Sequence, residues 1–325
     1  MKRILSLVAY LLAFCAVAVA GAMLYVKFAL PNVGEAEAIT IDYTPERVAR
    51  GEYLATAVAV CMDCHSTRDW TKFSAPLIQS TLGQGGERFD QKMGLPGKFL
   101  SRNITPHGIG RYTDGELFRV ITTGVTKEGR AMFPLMPYAY YGRMDREDIY
   151  SIIAYVRSIP SIVNEVEPSQ ADFPMNFIIN TIPQPANFQK RPDRSNLLAY
   201  GAYMINATAC AECHTPVDKG RIIADQKFSG GREFRFANGA VVRSSNLTPD
   251  PETGIGKWTE EDFVRKFKHY ADSANINAVQ PGEFNSFMPW TMYAKMETED
   301  LAAIFAYLKS VKPITNSVTR FTPAP

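Results

Sequence analysis

The chain has little cysteine and little histidine, with five and four residues respectively among 325. Four of the cysteines belong to one repeated motif, and the fifth, Cys15, lies alone in an apolar N-terminal segment. No thiols therefore remain for a disulfide framework of the kind that stabilises small secreted domains. Charge is nearly balanced, with 35 basic and 33 acidic residues, so nothing in the composition favours a nucleic-acid partner or a strongly charged substrate.

The repeated motif is Cys-x-x-Cys-His, present at residues 61–65 and again at residues 210–214. This pattern is typical of covalent haem c attachment. Two thiols three positions apart lie on one side of a helical turn, so each can add to a different vinyl group of one porphyrin. The sequence therefore predicts two covalently bound haem c groups, with a histidine as one ligand to each iron. The predicted attachment residues are Cys61, Cys64, His65, Cys210, Cys213 and His214.

Two other interpretations of the motif are a redox-active cysteine pair and part of a zinc site. A thioredoxin-like pair requires a βαβ setting, and neither copy has one. A structural zinc site requires four cysteine or histidine ligands, and each copy supplies three with no further cysteine near it. Two copies at corresponding places in two similar halves favour haem.

An uncharged apolar run extends from Ile4 to Val26 (26−4+1 = 23 residues). A helix of that length is about 34 Å long, enough to cross a bilayer. We expect a retained transmembrane anchor over 4–26, although Ala18-Val19-Ala20 also fits a signal-peptidase site. The basic residues Lys2 and Arg3 predict a cytoplasmic N-terminus, which places the rest of the chain in the periplasm.

The two halves of the chain repeat the same order of features. Asn103 and Asn246 follow the first and second motif, and Met136 and Met288 come later in each half. The offsets between matching residues vary, which indicates insertions in loops between matching elements. The predicted segments are a domain over 44–159, a proline-rich connector over 160–196, a second domain over 197–313 and a frayed tail over 314–325.

Helix signals recur at matching places. A helix from about Glu46 to Val60 should begin at the Thr44-Pro45 cap, and Gly51 on it would let another helix approach closely, with Tyr53 packing across the contact. Capping boxes are predicted at Thr113 with Glu116 and at Thr259 with Asp262. The last helix of the first half should start at Asp145 and end near Ile159.

These features together resemble class I cytochrome c domains in tandem. The shared motifs are Asn-Ile/Leu-Thr-Pro at 103–106 and 246–249, Gly-Ile-Gly-x-aromatic-Thr at 108–113 and 254–259, and the Met-Pro-aromatic loops. In these the chain is similar to the cytochrome subunits of membrane-bound alcohol and gluconate dehydrogenases, which carry three haem motifs where this chain carries two. The resemblance implies an all-α fold of two tandem class I cytochrome c domains after one transmembrane helix.

Met136 and Met288 are the predicted sixth ligands, so that both haems are His/Met ligated. Each lies well after its histidine (136−65 = 71 and 288−214 = 74 residues), is followed by proline and precedes the last helix of its half. The family resemblance implies the same two residues. A thioether favours reduced iron and raises the potential. The alternative is that both methionines only fill the core.

Other candidates have simpler roles. Met144 and Met296 should pack, and His107 and His269 have no counterpart in the other half. Pro216 offers a carbonyl for the ring N–H of His214. Five further residues could either donate hydrogen bonds to haem propionates or have only a core or loop role: Arg102, Asn103, Tyr112, Asn246 and Trp258.

The leading hypothesis is a membrane-anchored dihaem electron carrier and not an enzyme. It would accept electrons from a dehydrogenase or respiratory-chain protein and pass them to an oxidase or another cytochrome. The alternative is a dihaem cytochrome c peroxidase, which needs one open haem; methionine loops in both halves argue against it. A dihaem thiosulfate dehydrogenase, which uses a cysteine ligand, is disfavoured because no spare cysteine exists outside the anchor. A subunit whose main role is to dock a dehydrogenase to the membrane is a further interpretation, and it is compatible with the carrier.

Overall fold

A computed structural model describes residues 2–325 and begins with a long apolar helix, α1, at Lys2–Phe28. Its 27 residues span about 40 Å, and the helix is long and apolar enough to cross a membrane. Val26 is the only residue of α1 that other parts of the described chain partly cover. The segment predicted as an anchor over 4–26 is thus one exposed helix, a property that an anchor and a signal sequence share.

The two halves that follow contain matching helices joined by long loops. The helices of the first half and the connector are α2 Pro45–Tyr53, α3 Cys61–Cys64, α4 Pro106–Ile109, α5 Asp114–Thr123, α6 Tyr138–Tyr141, α7 Arg146–Ser158 and α8 Met175–Ile178. Those of the second half are α9 Leu197–Ala207, α10 Cys210–His214, α11 Glu260–Lys268, α12 Trp290–Tyr293 and α13 Thr298–Ser310. Both predicted capping boxes form, and Asp145 caps α7 as predicted.

The helix before the first motif differs from the sequence prediction. We expected one regular helix from Glu46 to Val60, but α2 ends at Tyr53 and continues as a π-helical turn over Leu54–Val58. The bond from Ala59 N to Leu54 O (2.7 Å) has the five-residue spacing of that turn. Single π turns are frequent at functional sites, and this one lies directly before the motif.

Glycine brings the first and last helix of each half into direct contact. A Cβ on Gly51 would lie 1.8 Å from the carbonyl oxygen of Ser151 on α7. A Cβ on Gly201 would lie 2.0 Å from the carbonyl oxygen of Ala303 on α13. The close approach predicted for Gly51 is therefore present, and Gly201 repeats it.

The structure also contains short strands, which the prediction of an all-α fold did not include. They are β1 Arg88–Phe89, β2 Gly97–Leu100, β3 Gln170–Ala171, β4 Val217–Asp218, β5 Arg221–Ile222, β6 Glu233–Arg235, β7 Val241–Arg243 and β8 Phe321–Thr322. All pairs are antiparallel, in the orders β1-β2-β3, β4-β5 and β6-β7-β8. Because β3 lies in the connector and β8 in the tail, both segments are held against a sheet. The prediction of a frayed tail over 314–325 was wrong.

Two tyrosines join the halves through reciprocal contacts. The hydroxyl of Tyr53 donates to Asp300 on α13 (2.6 Å), and that of Tyr203 donates to Asp148 on α7 (2.6 Å). Burial raises the pKa of both phenols, and the carboxylate beside each adds to the rise. Both carboxylates are fully buried and also paired with arginine, Asp148 with Arg50 at 3.0 Å. A near-twofold interface therefore connects the first helix of each half to the last helix of the other.

Candidate haem sites

Each motif forms a short helix that begins at its first cysteine. The preceding residue adopts a left-handed conformation in both halves, with φ 44° at Val60 and φ 50° at Ala209. Left-handed backbone is uncommon for residues other than glycine, and β-branched valine rarely adopts it. The same strained step before both motifs turns the chain sharply into the helical turn that presents the two thiols.

A tyrosine ties the methionine loop of each half to its motif. We refer to residues 133–138 and 285–290 as the methionine loops. The hydroxyl of Tyr141, on α6, donates to the carbonyl of Ala59 at 2.9 Å. The hydroxyl of Tyr293, on α12, donates to the carbonyl of Thr208 at 3.2 Å. Both acceptors lie two residues before the first cysteine, so the helix that follows each methionine is anchored beside the motif.

Met136 and Met288 occupy equivalent positions in these loops. Both are partly buried and packed against the core. In each case the backbone N–H two residues later donates to the methionine carbonyl at 2.8 Å, from Tyr138 in the first loop and Trp290 in the second. The two predicted sixth ligands therefore have the same burial and the same backbone hydrogen bond in the two halves.

Both motif histidines are oriented by a backbone carbonyl. Nδ1 of His65 lies 2.6 Å from the carbonyl oxygen of Arg102, and Nδ1 of His214 lies 2.8 Å from that of Ser245. A carbonyl can only accept, so Nδ1 carries the proton and Nε2 keeps its lone pair. That is the tautomer a metal-bound imidazole needs, and its orientation is fixed.

The prediction that Pro216 orients His214 was wrong. The carbonyl of Pro216 instead accepts from Ile223 N (3.0 Å) within the β4-β5 hairpin. The orienting carbonyl comes from the residue just before the Asn-x-Thr-Pro motif in each half, a contact 31 residues away along the chain in the case of Ser245.

The Asn-x-Thr-Pro motif holds that carbonyl in place. The Asn103 side-chain oxygen accepts from the Thr105 N–H (2.9 Å), while its amide donates to the carbonyl of Ile162 (2.8 Å). Asn246 repeats both contacts, with Thr248 N at 2.9 Å and the carbonyl of Ile314 at 2.7 Å. These asparagines are therefore committed to the loop, which favours the loop role over a propionate contact.

The remaining candidates have other contacts. Arg102 donates to the carbonyls of residues 166 and 167. His107 lies 3.0 Å from Glu165, and His269 is exposed. Met144 and Met296 are fully buried and pack in the core, as predicted. The rings of Tyr112 and Trp258 stay partly exposed at equivalent positions.

The donor set fits haem better than the two alternatives. Desolvation raises the pKa of the Cys61 and Cys64 thiols to about 12, whereas a redox-active pair needs a lowered thiol pKa. Within residues 2–325 the structure gathers no group of three or more His, Cys, Asp or Glu side chains suited to a metal ion. Two thiols on one turn, with a neutral imidazole beside them, are the groups that haem c requires.

Sequence reasoning missed the glycines that lie behind these histidines. The N–H of Gly85 donates to the carbonyl of His65 at 2.9 Å, and that of Gly230 to the carbonyl of His214 at 2.8 Å. Both have positive φ (+72° and +74°), and a Cβ on Gly230 would lie 2.5 Å from the carbonyl carbon of Ser245. The distance from each glycine to the asparagine of the following Asn-x-Thr-Pro motif differs between the halves (103−85 = 18 and 246−230 = 16 residues), so the sequence signal was weak.

We expect Gly230→Ala to disturb the second site by pushing away the carbonyl that orients His214. A Cβ would also lie 2.6 Å from the Ser245 carbonyl oxygen. We therefore expect the free energy of unfolding to fall by about 1–3 kcal/mol, and the reduction potential to change at the second haem only. Gly220→Ala is the matched control, because Gly220 has the same left-handed φ (+79°) with nothing within 4 Å. Chemical unfolding and a redox titration of both variants check this. Equal behaviour of the two variants would contradict it.

Residues 198–312 match the cytochrome c family model. This part of the chain is therefore a cytochrome c domain, and its motif, helices and methionine loop are those described above. Among curated proteins the chain is 28% identical, over 308 residues, to the cytochrome c subunit of an alcohol dehydrogenase (quinone) from Gluconacetobacter polyoxogenes, covering 89% of this chain and 61% of the relative. It is 28% identical to the gluconate 2-dehydrogenase cytochrome c subunit of Pantoea cypripedii, covering 85% of this chain and 62% of the relative.

A third relative is closer to this chain in length. It is a diheme cytochrome c-type protein of Cereibacter sphaeroides, 26% identical over 292 residues, with 82% of this chain and 86% of the relative covered. The chain spans only about three fifths of the two dehydrogenase subunits, as the 61% and 62% coverages show. The resemblance to cytochrome c drawn from the motifs is confirmed, and the cytochrome c family implies covalently bound haem c as the cofactor.

Proposed function

We propose that this protein is a membrane-anchored dihaem cytochrome c that carries single electrons. The observation that carries the proposal is the duplication of one complete set of contacts. In each half a histidine donates to a carbonyl at 2.6 or 2.8 Å, and a tyrosine anchors the methionine loop two residues before the motif. Two halves with the same positioning contacts support two tandem cytochrome c domains, each with one haem. The diheme relative, matched over 86% of its length, supports the same count.

Each group in the chain then has a defined task. The cysteines of a motif would hold the haem covalently, the histidine would bind the iron through Nε2, and the methionine thioether would close the opposite face. Haem c supplies a one-electron redox centre, and a thioether ligand raises its potential. The protein fixes the ligands in place, so that little rearranges when an electron arrives or leaves.

We infer that the two sites exchange electrons within the chain, because groups associated with both lie at the interface between the halves. The Asn206 amide of the second half donates to the carbonyl of Tyr140 in the first (2.9 Å), next to the first methionine loop. Burial raises the pKa of Tyr293, and the Cys210 and Cys213 thiols of its own half add to the rise. Tyr141 and Asp63 of the first half contribute as well. Groups of both sites therefore meet at the shared interface, which supports electron transfer from one haem to the other.

The proposed setting is the cytoplasmic membrane, with α1 as a single-pass anchor and both haem domains in the periplasm. The basic residues Lys2 and Arg3 in the first turn of α1 support this orientation. Relatives named as cytochrome c subunits of alcohol, gluconate and fructose dehydrogenases support a dehydrogenase as electron donor. An oxidase or another cytochrome would be the acceptor, which completes a path from the dehydrogenase to the respiratory chain.

The carrier proposal predicts that neither haem offers an open coordination position. The reduced protein is therefore expected not to bind carbon monoxide, and the protein is expected not to turn over peroxide with a cytochrome donor. Difference absorption spectra with carbon monoxide and a steady-state peroxide assay check this. Rapid carbon monoxide binding at one haem, with peroxide turnover, would favour the dihaem peroxidase alternative.

A further inference from the structure

The two halves differ in length at two places. From His65 to Gly85 there are 20 residues (85−65), but from His214 to Gly230 only 16 (230−214). From Thr259 to Met288 there are 29 residues (288−259), but the matching segment of the first half, from 113 to 136, has 23 (136−113). The first half is thus longer just after its haem motif, and the second half is longer just before its predicted methionine ligand.

These two longer segments meet each other across the interface. We call residues 69–75 the clasp. The clasp N–H of Phe73 donates to the carbonyl of Asn277 at 2.9 Å, and the N–H of Val279 donates to the carbonyl of Thr71 at 2.8 Å. A short antiparallel pairing between the halves results. The additional residues in each half are therefore used to bind the other.

Ser74, in the clasp, contacts the backbone of Met288 and of Trp290, two residues later. Its hydroxyl donates to the Met288 carbonyl at 2.7 Å and accepts from the N–H of Trp290 at 2.9 Å. Its own N–H donates to the side-chain oxygen of Asn285 at 2.9 Å. Ser74 is only 3% exposed and has a left-handed φ of 62°, so its hydroxyl is fixed in one place.

The first methionine loop has no equivalent support. Over residues 2–325, the carbonyl of Met136 receives its hydrogen bond from the backbone N–H of Tyr138 (2.8 Å), without a side-chain donor from the other half. The clasp therefore holds only the second loop, and the two sites are unequal in this respect.

The base of the clasp is anchored at the first haem motif. Arg68 is buried and pairs with Asp63 at 3.1 Å and with Glu87 at 2.7 Å. Its guanidinium also lies 4.4 Å from the centre of the Trp70 ring. Asp63 stands between the two cysteines of the motif, so a continuous chain of contacts runs from the first motif to the second methionine loop.

We propose that Ser74 is a positioning residue, supplied by the first domain, for the methionine ligand of the second haem. The proposal rests on the proposed function, in which Met288 is that ligand. By restraining the backbone at Met288 and at Trp290, the hydroxyl disfavours the opening of the loop that dissociation of the thioether requires. The stability of the methionine ligand at the second haem, and through it the potential, then depends on contacts made by the first domain.

The test is the Ser74→Ala substitution in the full chain, with imidazole as a competing ligand. The affinity of imidazole, which displaces the methionine, is expected to be roughly tenfold higher at one haem than in the unmodified protein. A change of this size corresponds to the loss of one or two hydrogen bonds. The methionine charge-transfer band of ferric iron should be lost at that haem only, and its potential should fall. Met136→Ala and Met288→Ala variants identify which haem responds.

Ser151→Ala is the matched control, because Ser151 is equally buried but donates within the first half, to the carbonyl of Glu147 at 2.8 Å. It should leave imidazole binding at the second haem unchanged. An unmodified protein without methionine bands would defeat the proposed function itself. Methionine bands that are present, with imidazole binding the same in Ser74→Ala as in the control, would overturn the role of Ser74 alone.

Discussion

Met288→Ala is expected to convert one of the two haems from low spin to high spin and to lower its potential by tenths of a volt. The physical reason is that the soft thioether stabilises reduced iron, and axial ligands adjust haem potentials over a range of about 0.8 V. The vacated face should also bind carbon monoxide when the iron is reduced. Met136→Ala should do the same at the other haem. Redox titration and magnetic circular dichroism of both single variants check these outcomes.

The control for these variants is Met296→Leu. Met296 lies eight residues after Met288 (296−288) and is 1% exposed, so its side chain is a nearby methionine with a packing role. Because leucine has a similar volume, the free energy of unfolding is expected to fall by less than about 1.5 kcal/mol, and the reduction potentials of both haems should stay unchanged. If Met296→Leu removed the methionine band while Met288→Ala kept it, the assignment of Met288 as ligand would be wrong.

Gly51→Ala is expected to destabilise the protein by about 3 kcal/mol or more. The added methyl group would overlap the carbonyl oxygen of Ser151, 1.8 Å away, and backbone in the core cannot move as a flexible side chain can. The two helices would have to separate, and the contact of Tyr53 with Asp300 lies on the same helix. Gly201→Ala should have a similar effect, since the corresponding distance to Ala303 O is 2.0 Å.

Chemical unfolding of the full chain in detergent, followed by circular dichroism, measures this effect. Glu52→Ala is the control, because Glu52 is the exposed neighbour of Gly51 on α2, and such surface changes usually stay within about 0.5 kcal/mol. For a variant too unstable to purify, the yield of covalently bound haem per chain is the second readout. A Gly51→Ala protein as stable as Glu52→Ala would show that the helices do not approach as closely as described.

The features that were predictable from sequence are those with local physical causes. The helix caps at Thr113 and Thr259 depend on residues three positions apart, and both formed. Gly51 stood out because a glycine inside a helix is unfavourable unless something needs the space. The repetition of the two halves supplied the rest, since a match between Met136 and Met288 carries more weight than either methionine alone.

The features that were missed depend on contacts between distant residues. The carbonyl that orients His214 comes from Ser245, and any residue type can supply a backbone carbonyl, so no side-chain signal marks it. The π turn after Tyr53 packs against α7 of its own half and α12 of the second half, and these distant contacts leave no local signal in the sequence. The clasp was visible only as a difference in spacing between the halves, and its partner could not be identified until both insertions were seen together.

The measurement that tests the central claim most directly is made on the purified, unmodified chain. Intact mass gives the number of covalently attached haems, and near-infrared magnetic circular dichroism gives the ligands of ferric iron in the same sample. We predict a mass increase of two haems per chain, with all of the iron low spin and carrying His/Met ligation. A single attached haem, or a high-spin fraction corresponding to one of two irons, would contradict the account.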